Sequence, residues 1–319
     1  MSKCLYCYNQ LESGEKDFHS ACSKKFFGPQ TPPLVDLSME RIKELAIETL
    51  GKRVSIPGVQ QKLSFDFSQK EKFREKQKGR DGRLTIVGLW GKFILKPPSD
   101  EYSEMPELED LTMHLSELLN IKTAEHSLIK LKSGELAYIS KRFDRTKNSK
   151  LHVEDMAQLT GSLTENKYRS SMEKVSKALL KYSSYPGIDA IRFFELTLFS
   201  FITGNSDMHL KNFSLIRNEE DEIMLSPAYD LLSTKLLIPK DREDLALPLN
   251  GKKSNLKKKD FDLFASQLKI NENALRKIYS KFGDSFSEMN KLIDKSFLSK
   301  EMKEKYVSLL DERRRVIWE

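Results

Sequence analysis

Asp207 and Asn212 stand in the spacing D-x4-N within Ser206-Asp207-Met208-His209-Leu210-Lys211-Asn212, and Asp230 follows in Pro227-Ala228-Tyr229-Asp230-Leu231. A carboxylate can take the proton of an attacking hydroxyl. An amide oxygen and a second carboxylate are the hard ligands that Mg2+ accepts when phosphates and water complete its shell. D-x4-N alone is a common loop-capping pattern, so its weight comes from the surrounding residues. The chemistry that such a set could serve is phosphoryl transfer from a nucleotide.

The upstream residues supply the rest of that chemistry. Ser55-Ile56-Pro57-Gly58-Val59-Gln60-Gln61-Lys62 contains a small-residue turn at Gly58 where backbone N–H groups could approach a phosphate. Lys96 closes the run Phe93-Ile94-Leu95-Lys96, and Glu109 lies on a helix that follows, with Glu107 as an alternative partner for the lysine. Loop, lysine, helix glutamate, base and metal ligands then occur in the order used by protein kinases.

A second constellation lies at the N-terminus. Cys4-x2-Cys7 and His19-x2-Cys22 place four soft or borderline ligands in two tight pairs, the spacing of a small zinc knuckle. Residues 1–30 carry too few apolar side chains to bury a core alone, so a metal would supply folding energy. Two other readings stay open: reduced cysteines packed as small apolar residues, and a redox role for Cys4-x2-Cys7, which lacks the surrounding βαβ pattern.

These residues need elements to hold them. Over 189–203, with Asp189 as N-cap, apolar residues run nearly all round the helix, so it is expected to be buried. Gly204-Asn205 stops it in the left-handed region and delivers Asp207. Further helices are expected near 38–50, 105–120, 153–160 and 170–182 and over most of 260–318. Strand signals cover 63–67, 84–87 (after an Asp81-Gly82 turn), 90–96, 124–131 and 136–143, while the lysine-rich stretch 70–80 reads as a solvated face. Gly28-Pro29 and Pro32-Pro33 read as a linker. The expected class is α+β with two lobes: a module over 1–30, a β-rich half over 31–142 and a helical half over 143–319.

At 319 residues the chain is long enough for about two domains. Lys+Arg exceed Asp+Glu by 54 to 47, a net charge of +7. Both signs are spread along the chain, which argues for a solvated surface and against direct nucleic-acid binding. The longest apolar run, Ile188 to Ile202, contains Asp189, Arg192 and Glu195, so no membrane span is expected. Three cysteines, all within the first 22 residues, cannot build a disulfide framework, and a reducing cytoplasm is the expected location.

The ordered segments Ser55–Leu63, Phe93–Pro97, Lys141–Arg145, His152–Gly161, Gly204–Phe213 and Ser226–Leu232 resemble the HipA family of bacterial toxin kinases over roughly residues 50–318. The resemblance implies a two-lobed kinase-like fold. It makes Asp207 the catalytic base, Asn212 and Asp230 the Mg2+ ligands, and Lys96 the ATP lysine. It places Arg142 and Phe143 at the adenine and Asp144 and Gln158 at the ribose. The loop Ser55, Gly58, Val59, Gln60 and Lys62 falls at the phosphates, as does Lys211. His209 falls there too, or else orients the loop. Ser55 takes the place of the family's autophosphorylated serine, or remains a plain loop hydroxyl; a second serine of some short members is replaced by Pro57. By the same resemblance the cofactors are ATP and Mg2+ (Zn2+ being expected from the cysteines). The substrate would be an aminoacyl-tRNA synthetase, and the partners antitoxin proteins, one of them DNA-binding. With about 50 residues before the kinase part, the chain resembles the shorter kinases whose extra N-terminal subdomain is a separate protein. The alternative is a catalytically degenerate kinase fold that acts as a binding protein with a DNA-binding antitoxin.

Overall fold

A computed structural model describes residues 2–35, 37–42, 44, 62–67, 83–86, 91–146 and 149–319. The turn at 81–82, the loop at 70–80 and most of the loop at 55–62 lie outside the described residues. The chain divides into two compact units. Unit 1 comprises Met1–Asp110, Glu125–Arg142 and Lys295–Phe297; unit 2 comprises Leu111–Ala124, Phe143–Asp294 and Leu298–Glu319.

Unit 1 is built on a six-stranded sheet. Helix α1 (Ser20–Phe27) precedes strands β1 (Leu34–Val35), β2 (Leu63–Phe67), β3 (Arg83–Ile86) and β4 (Phe93–Lys96), then helix α2 (Met105–Leu118) and strands β5 (His126–Lys130) and β6 (Leu136–Lys141). The strand order is β1-β3-β2-β4-β6-β5. All pairs are antiparallel except β1 with β3. Alternation in β4 buries Phe93 and Leu95, and Pro97-Pro98 ends the strand immediately after Lys96 because proline cannot donate to the ladder. Gly91 admits a close backbone approach at the start of this strand: a Cβ there would lie 2.4 Å from the Phe65 carbonyl oxygen.

Residues 1–30, expected as a separate module, are part of this unit. Cys4, Leu5, Phe18, Phe26 and Phe27 share one core with Phe65, Phe93, Leu95, Leu128 and Ile139. Phe26 and Phe27 pack at ring distances of 5.8 and 6.0 Å from Phe93. A segment this short cannot enclose a core of its own and buries its apolar side chains against the sheet. Residues 111–124, expected in the β-rich half, belong instead to unit 2. There Thr112 Oγ1 meets the buried Tyr306 hydroxyl at 3.0 Å and Ala124 N donates to the Ala228 carbonyl.

Unit 2 contains β7 (Val153–Asp155), α3 (Met156–Leu159), α4 (Met172–Tyr182), α5 (Pro186–Thr203), β8 (Ser214–Arg217), β9 (Ile223–Leu225), α6 (Thr234–Leu237), α7 (Lys258–Gln267), α8 (Glu272–Lys295) and α9 (Lys300–Trp318). Strands β7-β8-β9 form an antiparallel sheet. Residues 153–155, expected to begin a helix, pair with β8, and Asp155 then caps α3. Helix α5 is buried as its apolar residues require, and Gly204 ends it at φ 68°, ψ 36°. Its start differs from expectation. Pro186 takes the first helical turn, where its missing N–H costs nothing, so Asp189 lies inside the helix. Asp189 is buried and accepts hydrogen bonds from Ser183 Oγ (2.7 Å) and Leu225 N (2.8 Å), tying α5 to β9.

Candidate active site

The loop after α5 is closed by its own polar groups. Asp207 N donates to Asn205 Oδ1 at 3.2 Å, and His209 N donates to the Asp207 carbonyl at 2.8 Å. Leu210–Asn212 forms a 3-10 turn, which returns Asn212 Nδ2 to the same Asp207 carbonyl at 3.1 Å. The D-x4-N spacing is therefore one turn closed by the asparagine amide. With the amide nitrogen so engaged, the amide oxygen is the atom a hard cation would take. Ser206 anchors the loop to α6 and beyond, through Thr234 Oγ1 (2.8 Å from Ser206 N) and Asp241 Oδ2 (2.6 Å from Ser206 Oγ).

Asp230 approaches this loop through its neighbour. Tyr229 OH donates to the Lys211 carbonyl at 2.8 Å and lies 2.6 Å from Ser214 Oγ. Asp230 itself sits at φ 60°, a left-handed conformation that Asp tolerates better than most residues. His209, within the same loop, is buried at 6 % exposed. Burial lowers the pKa of its imidazole, and Lys167 acts in the same direction. The charges of Asp207 and Asp230 pull it back upward without restoring it. The net effect holds the ring toward its neutral form.

Tyr168 was not among the expected site residues. Its hydroxyl donates to Asp207 Oδ1 at 2.5 Å, and its ring meets His209 edge-on at 5.0 Å. Burial and the Asp207 charge together push its phenol pKa up, so it remains a donor. Nothing in the sequence marks a tyrosine so far upstream of the loop; only the fold brings the two together.

The other expected residues are placed as follows. Phe143 packs on Tyr229 at 5.5 Å. Asp144 is buried and pairs with Arg145 at 2.7 Å. Gln158 completes the capping box of α3 with Asp155, which engages its side-chain oxygen. Lys211 contributes its carbonyl to Tyr229. In unit 1, Arg142 N donates to the Lys92 carbonyl, and Lys62 is exposed beside β2. Lys96, opposite Tyr138 in the sheet, donates through Nζ to Glu109 Oε1, with both side chains buried. Glu107 instead has its carboxyl pushed up to about 7, mainly by burial and then by Glu104 and Asp110. Ser55, Gly58, Val59 and Gln60 lie outside the described residues.

The N-terminal ligands converge as well. One ligand atom each of Cys4, Cys7, His19 and Cys22 lies within 4.8 Å of all the others. His19 Nε2 donates to the Gln10 carbonyl at 2.9 Å, turning Nδ1 toward Cys7 Sγ (3.4 Å) and Cys22 Sγ (3.7 Å). Burial, and then the neighbouring sulfurs of Cys4 and Cys7, push the Cys22 thiol up to about 12. Burial also raises Cys4, but the backbone N–H groups of His19, Tyr6 and Cys7 outweigh it and hold that thiol below its ordinary value.

The chain is similar to several known proteins. The family model described as the HipA-like C-terminal domain matches residues 54–289. A Sinorhizobium fredii protein, Y4dM, designated a kinase by name alone, is 36% identical over 193 residues. That match covers 57% of this chain and 45% of Y4dM, so the matched part spans less than half of that relative. A Haemophilus influenzae protein of similar designation is 24% identical over 91% of this chain and 88% of its own length. Among solved structures, Shewanella oneidensis HipA, determined in a complex with HipB and operator DNA, superposes with a TM-score of 0.66 at 18% identity, covering 96% of this chain and 73% of that one. The Helicobacter pylori proinflammatory kinase CtkA gives a TM-score of 0.55 at 20% identity, covering 79% of this chain and 92% of its own. At these identities the two structures establish the fold, an α+β kinase-like fold of the HipA type.

Proposed function

Because the chain belongs to the family defined by the HipA-like C-terminal domain, we propose that it is an ATP- and Mg2+-dependent protein serine/threonine kinase, the toxin of a toxin–antitoxin pair. The observation that carries the reading is the closed loop in which Asn212 holds the Asp207 carbonyl while Tyr168 holds its carboxylate.

In this reading Asp207 accepts the proton of a protein hydroxyl. Tyr168 occupies Oδ1, so Oδ2 is the oxygen that meets the substrate. The Asn212 amide oxygen and the Asp230 carboxylate are hard donors that suit Mg2+, which when bound would neutralise charge on the transferring phosphoryl group. Lys96, its ammonium oriented by Glu109, is the phosphate-pairing cation of unit 1. Phe143, Asp144, Gln158 and Lys211, with Arg142 and the segment from Ser55 to Lys62, complete the nucleotide contacts by resemblance to the family. Ser55 is the proposed autophosphorylation site, and an aminoacyl-tRNA synthetase the proposed substrate. The partner would be a DNA-binding antitoxin, as HipB accompanies the Shewanella protein.

The test is incubation of the purified chain with labelled ATP and Mg2+, alone and with a cell lysate, followed by phosphopeptide mapping. Transfer to itself at Ser55 or to a synthetase supports the proposal. Nucleotide binding without any transfer would favour the degenerate, antitoxin-binding alternative.

A further inference from the structure

We propose that Cys4, Cys7, His19 and Cys22 hold one Zn2+, and that this ion is a structural member of the sheet carrying Lys96. The metal half of the proposal is independent of the kinase reading; the importance of Lys96 rests on it.

The geometry meets the requirements of a closed tetrahedral site. With Zn–S near 2.3 Å and Zn–N near 2.05 Å, tetrahedral angles demand S···N edges of about 3.6 Å. The two S···N edges at His19, 3.4 and 3.7 Å, bracket that value. Three cysteines and one histidine fill all four positions, which is the arrangement of structural and not of catalytic zinc. The outer contacts are also those of a metal ligand. The hydrogen bond from His19 Nε2 to Gln10 fixes the tautomer that presents Nδ1. His19 N points at Cys4 Sγ at 3.5 Å. The turn between the first two cysteines is closed by Tyr8 N donating to the Cys4 carbonyl, with Tyr8 in a left-handed conformation at φ 62°. A packing role for reduced cysteines accounts for the burial of Cys4. It does not account for a histidine turned so that its ring nitrogen faces two sulfurs.

The same turn grips the rest of unit 1. Leu5, inside the Cys4–Cys7 pair, lends its carbonyl to Leu128 N (3.3 Å) and Ser127 Oγ (3.2 Å) on β5. Tyr8, immediately after Cys7, donates its hydroxyl to Asp110 Oδ2 at 2.7 Å. The other oxygen of Asp110 lies 2.6 Å from His126 Nδ1 on β5. Asp110 follows Glu109, the partner of Lys96. Cys4, Asp110 and Glu109 are each fully buried, so a shift of the metal-bound turn has no slack through which to dissipate. Removing the ion would release Tyr8, then Asp110, and with it the first turns of α2.

The experiment uses the full-length protein. Metal analysis of the purified chain should find about one zinc per molecule. Exchange with Co2+ should give the intense visible absorption of a tetrahedral thiolate site. Cys7→Ser should lose the zinc. If that variant fails to fold, chelation of wild-type protein gives the same comparison. Hydrogen exchange before and after chelation should show lost protection in β5 and at 105–110 as well as in 2–27, while β8 and α5 are unchanged. Tyr8→Phe should keep its zinc yet show the loss at 105–110. Metal-free protein with native exchange would overturn the site. Loss of protection confined to 2–27 would overturn the coupling. None of these readouts requires kinase activity, so a failed kinase assay leaves the outcome legible.

Discussion

Glu109→Gln tests whether the Lys96 ammonium depends on a buried counter-ion. The two side chains are 4% and 1% exposed, so the solvent screening that makes surface pairs nearly worthless does not apply. Removing one member of such a pair leaves an uncompensated buried charge, at a cost of about 3–5 kcal/mol. Two features lower the expected figure. Glutamine keeps an oxygen acceptor, and Lys96 Nζ also sits 5.3 Å from the Tyr138 ring, a contact worth about 1–2 kcal/mol when desolvated. The expected loss is therefore about 2–4 kcal/mol. Unit 1 lies between the sizes for which a kcal/mol is worth about 2–4 and about 4–8 °C, so at about 3–6 °C per kcal/mol its melting transition should fall by roughly 6–24 °C. Differential scanning calorimetry reads this directly, since the two units need not melt together. The double variant Lys96→Met with Glu109→Leu removes both charges and should recover most of that loss, though not nucleotide binding. If Glu109→Gln melts within a degree of wild type, or if the double variant is as unstable as the two single changes added, the buried-pair reasoning is wrong.

Three further outcomes are expected. Asp207→Ala should lower phosphoryl transfer about 10²–10⁴-fold while leaving the melting profile intact, as read by labelled-ATP assay beside calorimetry. Asp230→Ala should remove the Mg2+ dependence of ATP-analogue binding measured by titration calorimetry, and unchanged Mg2+ dependence would exclude it as a ligand. Glu107 binds its proton more tightly folded, at about 7, than unfolded at 4.5. Its contribution to stability is therefore fully present below the unfolded value and is lost as pH rises through about 7. Glu107→Gln should accordingly raise the melting temperature of unit 1 at pH 8 and leave it nearly unchanged at pH 4.5, and equal gains at both would reject the burial argument.

The parts of the site that could be read from the chain are those built by local interactions. The all-round apolar pattern of α5 and the left-handed Gly204 were visible because a helix face and a stop are written over consecutive residues. Asp207 and Asn212 were legible as a pair because one short turn joins them. Strand β4 and its end at Lys96 followed from alternation and the two prolines. The ligand pairs at Cys4/Cys7 and His19/Cys22 were legible for the same reason, each pair being its own tight turn. Family membership, too, was carried by short ordered segments. Glu109 against Glu107 was not decided by spacing, since both lie in the first turns of α2 and only the rotation of that helix against the sheet turns Glu109 to Lys96.

What tertiary structure alone decided is every contact between residues far apart in the chain. Asp189 carries the signature of a cap, but Pro186 moved the helix start and left the carboxylate to bridge to Leu225 N. Tyr168 reaches Asp207, and Tyr8 reaches Asp110, through folds of the chain that no local pattern encodes. The N-terminal residues read as a separate module because they hold every cysteine and end at Gly28-Pro29 and Pro32-Pro33, yet so short a segment buries its apolar side chains in the core around Phe93. Periodicity and spacing record the free energy of neighbours in sequence. Burial and long-range hydrogen bonds record which surfaces found each other, and that depends on the whole chain at once.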